Sequence, residues 1–295
     1  MFVLAHLSDL HMALRPRLIQ LAGKRGLGYI NWHRGRKYIH RRETLDAITR
    51  DVKANAPDHI AVTGDLVNLS LPIEYAAARA LLETLGPPHD VTVIPGNHDA
   101  YVPAALGGPE KAWGDYMRGD DGAAAGTFPF VRRRNGVALI ALSSGLPTGP
   151  FMATGLVGDA QLSGFAEALD ATSGLFRVVL IHHPPQSPPS RHLRRLIDGA
   201  EFRQVLAVHG ADLVLHGHHH THSLIWLDGP AGRIPVIGVA SASGSPAYRD
   251  DPGGYNLYEI DGKPGAWRCT MVTRGMTRED GSVREIGRTE LFAPG

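Results

Sequence analysis

Val91-Thr92-Val93-Ile94-Pro95-Gly96-Asn97-His98-Asp99 is an apolar run that breaks at a proline into glycine, an amide, an imidazole and a carboxylate. That order predicts a buried strand delivering polar side chains to a tight loop at its C-terminal end. Four more stretches repeat it. Phe2–Leu7 leads into Ser8-Asp9-Leu10-His11, Ile60–Thr63 into Gly64-Asp65, Val178–Ile181 into His182-His183-Pro184, and Leu213–Leu215 into His216-Gly217-His218-His219-His220. Carboxylates, an amide and imidazoles delivered at strand ends predict one composite metal site at the edge of an α/β core.

Helical spacing fills the gaps between the first three stretches. Glu43–Asn55 carries Leu45, Ile48 and Val52 on one face and stops before Pro57, and Ala-rich Ile73–Leu85 stops at Gly86-Pro87-Pro88. Up to Ile94 the chain therefore reads βαβαβ, a parallel sheet with covering helices. Tyr101–Phe130 reads as a Gly- and Ala-rich loop with a short helix near Lys111–Arg118. A strand at Val137–Ser143, a helix at Asp159–Leu169 with Asp159 as N-cap, and a helix at Leu193–Val208 follow. Ile234–Val239, Tyr255–Ile260, Trp267–Val272 and Thr289–Phe292 read as successive strands, so the chain from about residue 233 is β-rich. With no repeat, low-complexity linker or composition break, residues 1–295 are expected to form one domain.

One stretch stands apart. From Met12 to Arg42 there are nine arginines and lysines and no acid before Glu43, interleaved with Leu27, Tyr29, Ile30 and Trp32. Residues 12–42 are expected to be a basic, amphipathic cap insertion over the site. A solvated face, a contact between two copies of the chain, and a cap for a phosphate-rich or membrane-resident substrate all remain open readings of it.

The composition, 43% hydrophobic and 20% charged, is that of a soluble globular protein, and a net charge of +1 gives no global field for nucleic acid. Cys269 is the only cysteine, which excludes an intramolecular disulfide and a thiolate zinc cluster. His6 and Asp9 interrupt the apolar N-terminus before a signal-peptide core forms, and no run approaches the ~18 apolar residues of a membrane span. A cytoplasmic protein is expected, with the 12–42 stretch as its one route to the inner membrane face.

Asp9, His11, Asp65, Asn97, His182, His218 and His220 are the candidate ligands. Seven ligands with one carboxylate shared suffice for two first-row ions ~3.5–4 Å apart. His183 competes with His182 for its place.

The ordered blocks Asp9-x-His11, Gly64-Asp65, Gly96-Asn97-His98-Asp99, His182 and Gly217-His218-x-His220 resemble the signature of the calcineurin-like metallophosphoesterase superfamily. The resemblance implies a four-layer α-β-β-α sandwich of two mixed sheets flanked by helices, with the metals at the strand ends. It implies one ion on Asp9, His11, Asp65 and His220 and a second on Asp65, Asn97, His182 and His218, with Mn, Fe or Zn as the metals. It also implies hydrolysis of a phosphate ester by in-line attack of a hydroxide activated between the ions. His98, not a ligand, would stabilise charge or protonate the leaving oxygen. His216, His219 and His222 would be solvated or support the ligands, and Asp99 would orient His98 or cap its loop.

Gly64-Asp65-Leu66-Val67-Asn68, Gly-Asn-His-Asp and His182-His183-Pro184-Pro185 are most similar to bacterial class III cyclic-nucleotide and glycerophosphodiester phosphodiesterases. A phosphodiesterase is the expected activity. Three alternatives accompany it: a hydrolase of a nucleotide-linked lipid, similar to the UDP-diacylglucosamine hydrolases, a phosphomonoesterase, and a non-catalytic metal-binding adaptor. The expected partner is a small-molecule or lipid phosphate ester, with homo-oligomer formation left open.

Overall fold

Each of the five strand-to-loop stretches begins with a strand in the computed structural model, which describes residues 1–12, 25–26, 37–149, 151–247 and 251–292. In chain order the elements are β1 (Phe2–Leu7), α1 (Arg42–Ala54), β2 (His59–Val62), α2 (Pro72–Leu85), β3 (Val91–Val93), α3 (Gly108–Trp113), β4 (Phe130–Arg134) and β5 (Val137–Ala141). Then come α4 (Asp159–Asp170), β6 (Phe176–Leu180), α5 (Gly199–His209), β7 (Leu213–His216), β8 (Ser223–Gly229), β9 (Gly232–Gly238), β10 (Gly254–Lys263), β11 (Ala266–Met276) and β12 (Val283–Phe292).

Among the described residues the strands form two mixed sheets, ordered β12-β11-β10-β1-β2-β3 and β4-β5-β6-β7-β9-β8. β1, β2 and β3 are parallel, and so are β5, β6, β7 and β9. The C-terminal strands complete the first sheet, β10 pairing antiparallel with β1 so that Leu4 faces Tyr258. Parallel strands send all their C-terminal ends to one side. The loops after β1, β2, β3, β6 and β7 therefore meet at one edge.

Strand alternation builds the layers. Leu139, Ala141, Val178 and Leu180 join Leu4 and Leu7 in the core between the sheets, whereas Ile140, Leu142, Val179 and Ile181 pack on Leu162 and Phe165 of α4 and Phe202 and Leu206 of α5. Leu45, Ile48 and Val52 of α1 and Ala78, Leu81 and Leu82 of α2 cover the first sheet. The fold is the expected α-β-β-α sandwich.

Several details differ from the sequence reading. α5 begins at Gly199, because Pro189–Arg194 forms a 3-10 segment and Leu196 bridges to Gly155. Gly158, rather than Asp159, precedes α4, and the Asp198 carboxylate accepts hydrogen bonds from the Val157 and Gly158 amides there. β12 starts six residues earlier than read. β4 and β8 were not read as strands, and both are sheet edges. β4 hides behind Arg132, Arg133 and Arg134, yet Arg132 is buried and donates to the carbonyls of Pro88, Val91, Arg118 and Asp115. Of the 12–42 stretch, residues 13–24 and 27–36 lie outside the described residues, so the cap is not located. Arg25 donates to the Leu69 and Ser70 carbonyls, and Ile39–Arg41 pairs antiparallel with Ser243–Ser245. No helix among the described residues is long and apolar enough to cross a membrane.

Candidate metal centre

The loops that carry the candidate residues are tied to one another by backbone hydrogen bonds. Asp9 N–H donates to Gly64 O, His11 N–H to Asp65 O, Gly217 N–H to His182 O and Ala242 N–H to Ser8 O, at 2.9 to 3.1 Å. Close approach explains two glycines. A Cβ on Gly96 would collide with the Asp65 carboxylate, and one on Gly217 would collide with the Ser8 hydroxyl and the Asp9 carboxylate. Asp9, His11, Asp65, His218 and His220 all have φ between 43° and 70°. For residues with a Cβ that left-handed backbone costs of order 1 kcal/mol each, and it persists where surrounding contacts over-determine it.

These turns aim the side chains at one another. His220 Nε2 lies 3.1 Å from Asp9 Oδ1 and 3.1 Å from His11 Nε2. Asp65 Oδ2 stands between two imidazoles, 3.4 Å from His182 Nε2 and 3.9 Å from His11 Nε2, while Asp65 Oδ1 accepts the His98 N–H at 2.7 Å. Asn97 Oδ1 is 3.2 Å from His182 Nε2. The His218 ring packs on that of His182 at 5.2 Å, and its backbone N–H donates to Asp9 Oδ2. The His98 ring lies 5.1 Å from His11 and stacks on Tyr101. All eight residues singled out in the sequence thus lie in one cluster.

The outer imidazole nitrogens are spoken for by carbonyls: Nδ1 of His182 by Thr63 O, Nδ1 of His98 by Asn68 O and Nε2 of His218 by Arg194 O. For His182 and His218 an N–H held there leaves the lone pair on the opposite nitrogen, the arrangement a metal ligand needs. His183, by contrast, has Nδ1 on Ser144 Oγ and Nε2 on Ala153 O, so both nitrogens are engaged by protein. This favours His182 over its neighbour. Asp99 accepts hydrogen bonds from the Leu66, Val67 and Gly96 amides, so it caps the loops rather than orienting His98. His216 is buried, not solvated.

Charge is balanced only within the cluster. Burial disfavours the ionised form of Asp9 and Asp65, yet His220 and His182 hold Asp9, and His182 and His98 hold Asp65, below the ordinary carboxylate range. Burial likewise opposes a charge on His182, but Asp65 outweighs it and the imidazole is raised to about 9. Burial, then the charge of Asp65, pushes Asp99 up to about 7. Asp9 Oδ1 is fully buried and accepts no hydrogen bond. An orphaned carboxylate oxygen facing imidazole nitrogens is a fit for a cation. Three groups of donors within 4.8 Å of one another occur among the described residues: Asp9, Asp65, His182; His182, His183, His218; and His11, His40, His220. His40 was missed in the sequence, where it sits among basic residues with no motif to mark it.

The calcineurin-like phosphoesterase family model matches residues 2–222. Two curated relatives are each named a "probable cyclic nucleotide phosphodiesterase". One, from Rhodococcus erythropolis, is 25% identical over 91% of this chain and 78% of its own; the other, from Synechococcus, is 27% identical over 76% and 80%. A purple acid phosphatase from yellow lupin seeds superimposes with a TM-score of 0.59 at 12% identity, over 96% of this chain and 52% of that one, a likeness of fold. With most of its length under that model and the donor loops at one sheet edge, the chain belongs to the calcineurin-like phosphoesterase family.

Proposed function

We propose that this phosphoester hydrolase is a dinuclear-metal phosphodiesterase. The carrying observation is Asp65, whose Oδ2 stands between the His182 and His11 imidazoles as a bridging carboxylate would. Asp9, His11, Asp65 and His220 would hold one ion and Asp65, Asn97, His182 and His218 the other. Bound there, first-row ions supply Lewis acidity, lowering the pKa of water and offsetting phosphate charge. Two carboxylates against two divalent cations leave the site net positive, and the neutral Asn97 preserves that excess. A phosphodiester anion is therefore attracted.

His98 would be the catalytic residue. Its Nδ1–H is fixed on Asn68 O and its ring is stacked on Tyr101; in the imidazolium form its Nε2–H would stabilise charge on, or pass a proton to, the leaving oxygen. The names of the two curated relatives support cyclic nucleotides as the first substrates to try. The basic 12–42 stretch favours a lipid-linked phosphate ester as the second reading; liposome binding that falls when Arg34, Arg36 and Lys37 are neutralised would support it.

The test is a side-by-side assay of bis(p-nitrophenyl) phosphate, p-nitrophenyl phosphate and cyclic nucleotides with Mn-, Fe- and Zn-loaded protein. Diester turnover abolished by chelation and restored by metal is expected. Chelation without effect overturns the reading, and faster monoester turnover turns it into a monoesterase.

A further inference from the structure

Two segments beside the His182 and His218 side of the centre carry apolar side chains that the fold leaves in water. Phe151, Met152, Leu156, Leu193 and Ile197 are five of the twelve exposed large hydrophobics among the described residues. Singly scattered ones are ordinary on a soluble surface, whereas a cluster of five marks a contact face. Backbone hydrogen bonds lay the segments side by side: Ala153 N–H donates to Leu193 O, Gly155 N–H to Arg195 O and Ile197 N–H to Gly155 O. The Asp198 carboxylate secures their base by accepting from the Val157 and Gly158 amides.

The inner side of this face rests on the histidines. Arg194 O lies 3.0 Å from His218 Nε2, Ala153 O lies 3.2 Å from His183 Nε2, and a Cβ on Gly155 would strike the His183 ring. Its outer side has one sign of charge, since Gln186–Ile197 holds Arg191, His192, Arg194 and Arg195 with no acid, and Ser143–Gly158 has no charged residue. Phe151 is a second, independent sign. It is 79% exposed and has φ 63°, a left-handed backbone that is costly for a bulky residue. Packing inside the chain offsets little of that cost, as expected where a residue is held ready for an outside contact.

We propose that this face docks on an anionic lipid bilayer: Phe151, Met152, Leu193 and Ile197 enter the headgroup boundary, while Arg191, Arg194 and Arg195 pair with lipid phosphates. Apolar tips beside a basic loop match a surface that is negative outside and apolar beneath. Residues 12–42 reinforce the match, because Met12 N–H donates to Leu66 O and Arg41 N–H to Ser243 O, so that basic stretch leaves and rejoins the fold at the same edge. Docking there sets the metal centre against the bilayer. The docking itself goes beyond the phosphodiesterase reading and does not depend on it.

The experiment sediments the full chain with vesicles of phosphatidylcholine alone and of phosphatidylcholine mixed with phosphatidylglycerol. Wild type is expected to bind the mixed vesicles. The pair Phe151→Ser and Leu193→Ser, and the pair Arg191→Gln and Arg194→Gln, are each expected to weaken that binding by about tenfold or more, with soluble diester turnover and melting temperature unchanged. Phe151→Trp, which keeps the apolar tip, is expected to bind like wild type and to shift its emission to shorter wavelength on the mixed vesicles. Four outcomes overturn the proposal: no binding, equal binding to phosphatidylcholine alone, binding that survives both pairs yet falls when Arg34, Arg36 and Lys37 are neutralised, or self-association that the serine pair abolishes in place of vesicle binding. Vesicle binding without diester turnover would sink the phosphodiesterase reading and leave the docking face standing.

Discussion

The first sheet delivers Asp9, Asp65 and Asn97, every oxygen donor proposed for the centre, whereas the second delivers only imidazoles, His182, His218 and His220. Alone, the first half sets two buried carboxylates against each other beside His11 and His98, and the second includes His182 and His218, whose burial opposes protonation. Each half satisfies the other. The centre is thus a property of the interface between the sheets, and the core of Leu4, Leu139, Leu180 and their neighbours fixes its dimensions.

Removing the oxygen that spans both halves should do the most damage. Asp65→Asn is expected to lower diester turnover on the order of 10³-fold, with metal content reduced at both positions in elemental analysis. His98→Asn is expected to leave metal content unchanged and to lower kcat ~10²-fold for a cyclic nucleotide, less for a p-nitrophenyl ester whose leaving group needs no proton. Unchanged kcat would remove His98 from the chemistry and leave the sheets' division intact.

Acidity sharpens the comparison further. In metal-free protein Asp65 raises His182 to about 9 against the pull of burial. A histidine raised on folding contributes stability that is complete below its unfolded value of about 6.5 and is lost as pH climbs through the folded value. The melting temperature of chelated protein should therefore fall between about pH 6.5 and 9. Metal-loaded protein, whose His182 must be neutral to bind, should not show that decline, and metal uptake within the window should release a proton, measurable with an indicator dye. The smallest effect is remote from the metals: Asp51→Ala removes the carboxylate that Arg274 and Tyr255 grip, tying α1 to β10 and β11. A loss of about 1–3 kcal/mol, read as a few degrees of melting temperature with metal content unchanged, is expected.

The parallel strands were legible because a buried strand reads as an apolar run, and the donors because each follows such a run directly. β4 was not, since Arg132 is buried by borrowing four carbonyls that no local pattern announces. α5 was read too long because proline and glycine spacing does not distinguish a 3-10 segment from the helix after it. His40 was invisible for a different reason: its neighbours in space, His11, His220 and Ser243, are distant in the chain, and only the pairing of Ile39–Arg41 with Ser243–Ser245 brings it to them.

The left-handed backbone at Asp9, His11, Asp65, His218 and His220 carries a consequence for how the protein can change. Glycine adopts that conformation without a Cβ penalty. The same change would delete a carboxylate or imidazole that its neighbours hold, a larger loss than about 1 kcal/mol of backbone relief, so no single glycine here is expected to raise heat resistance and the contorted turns are locked in by the very groups they present.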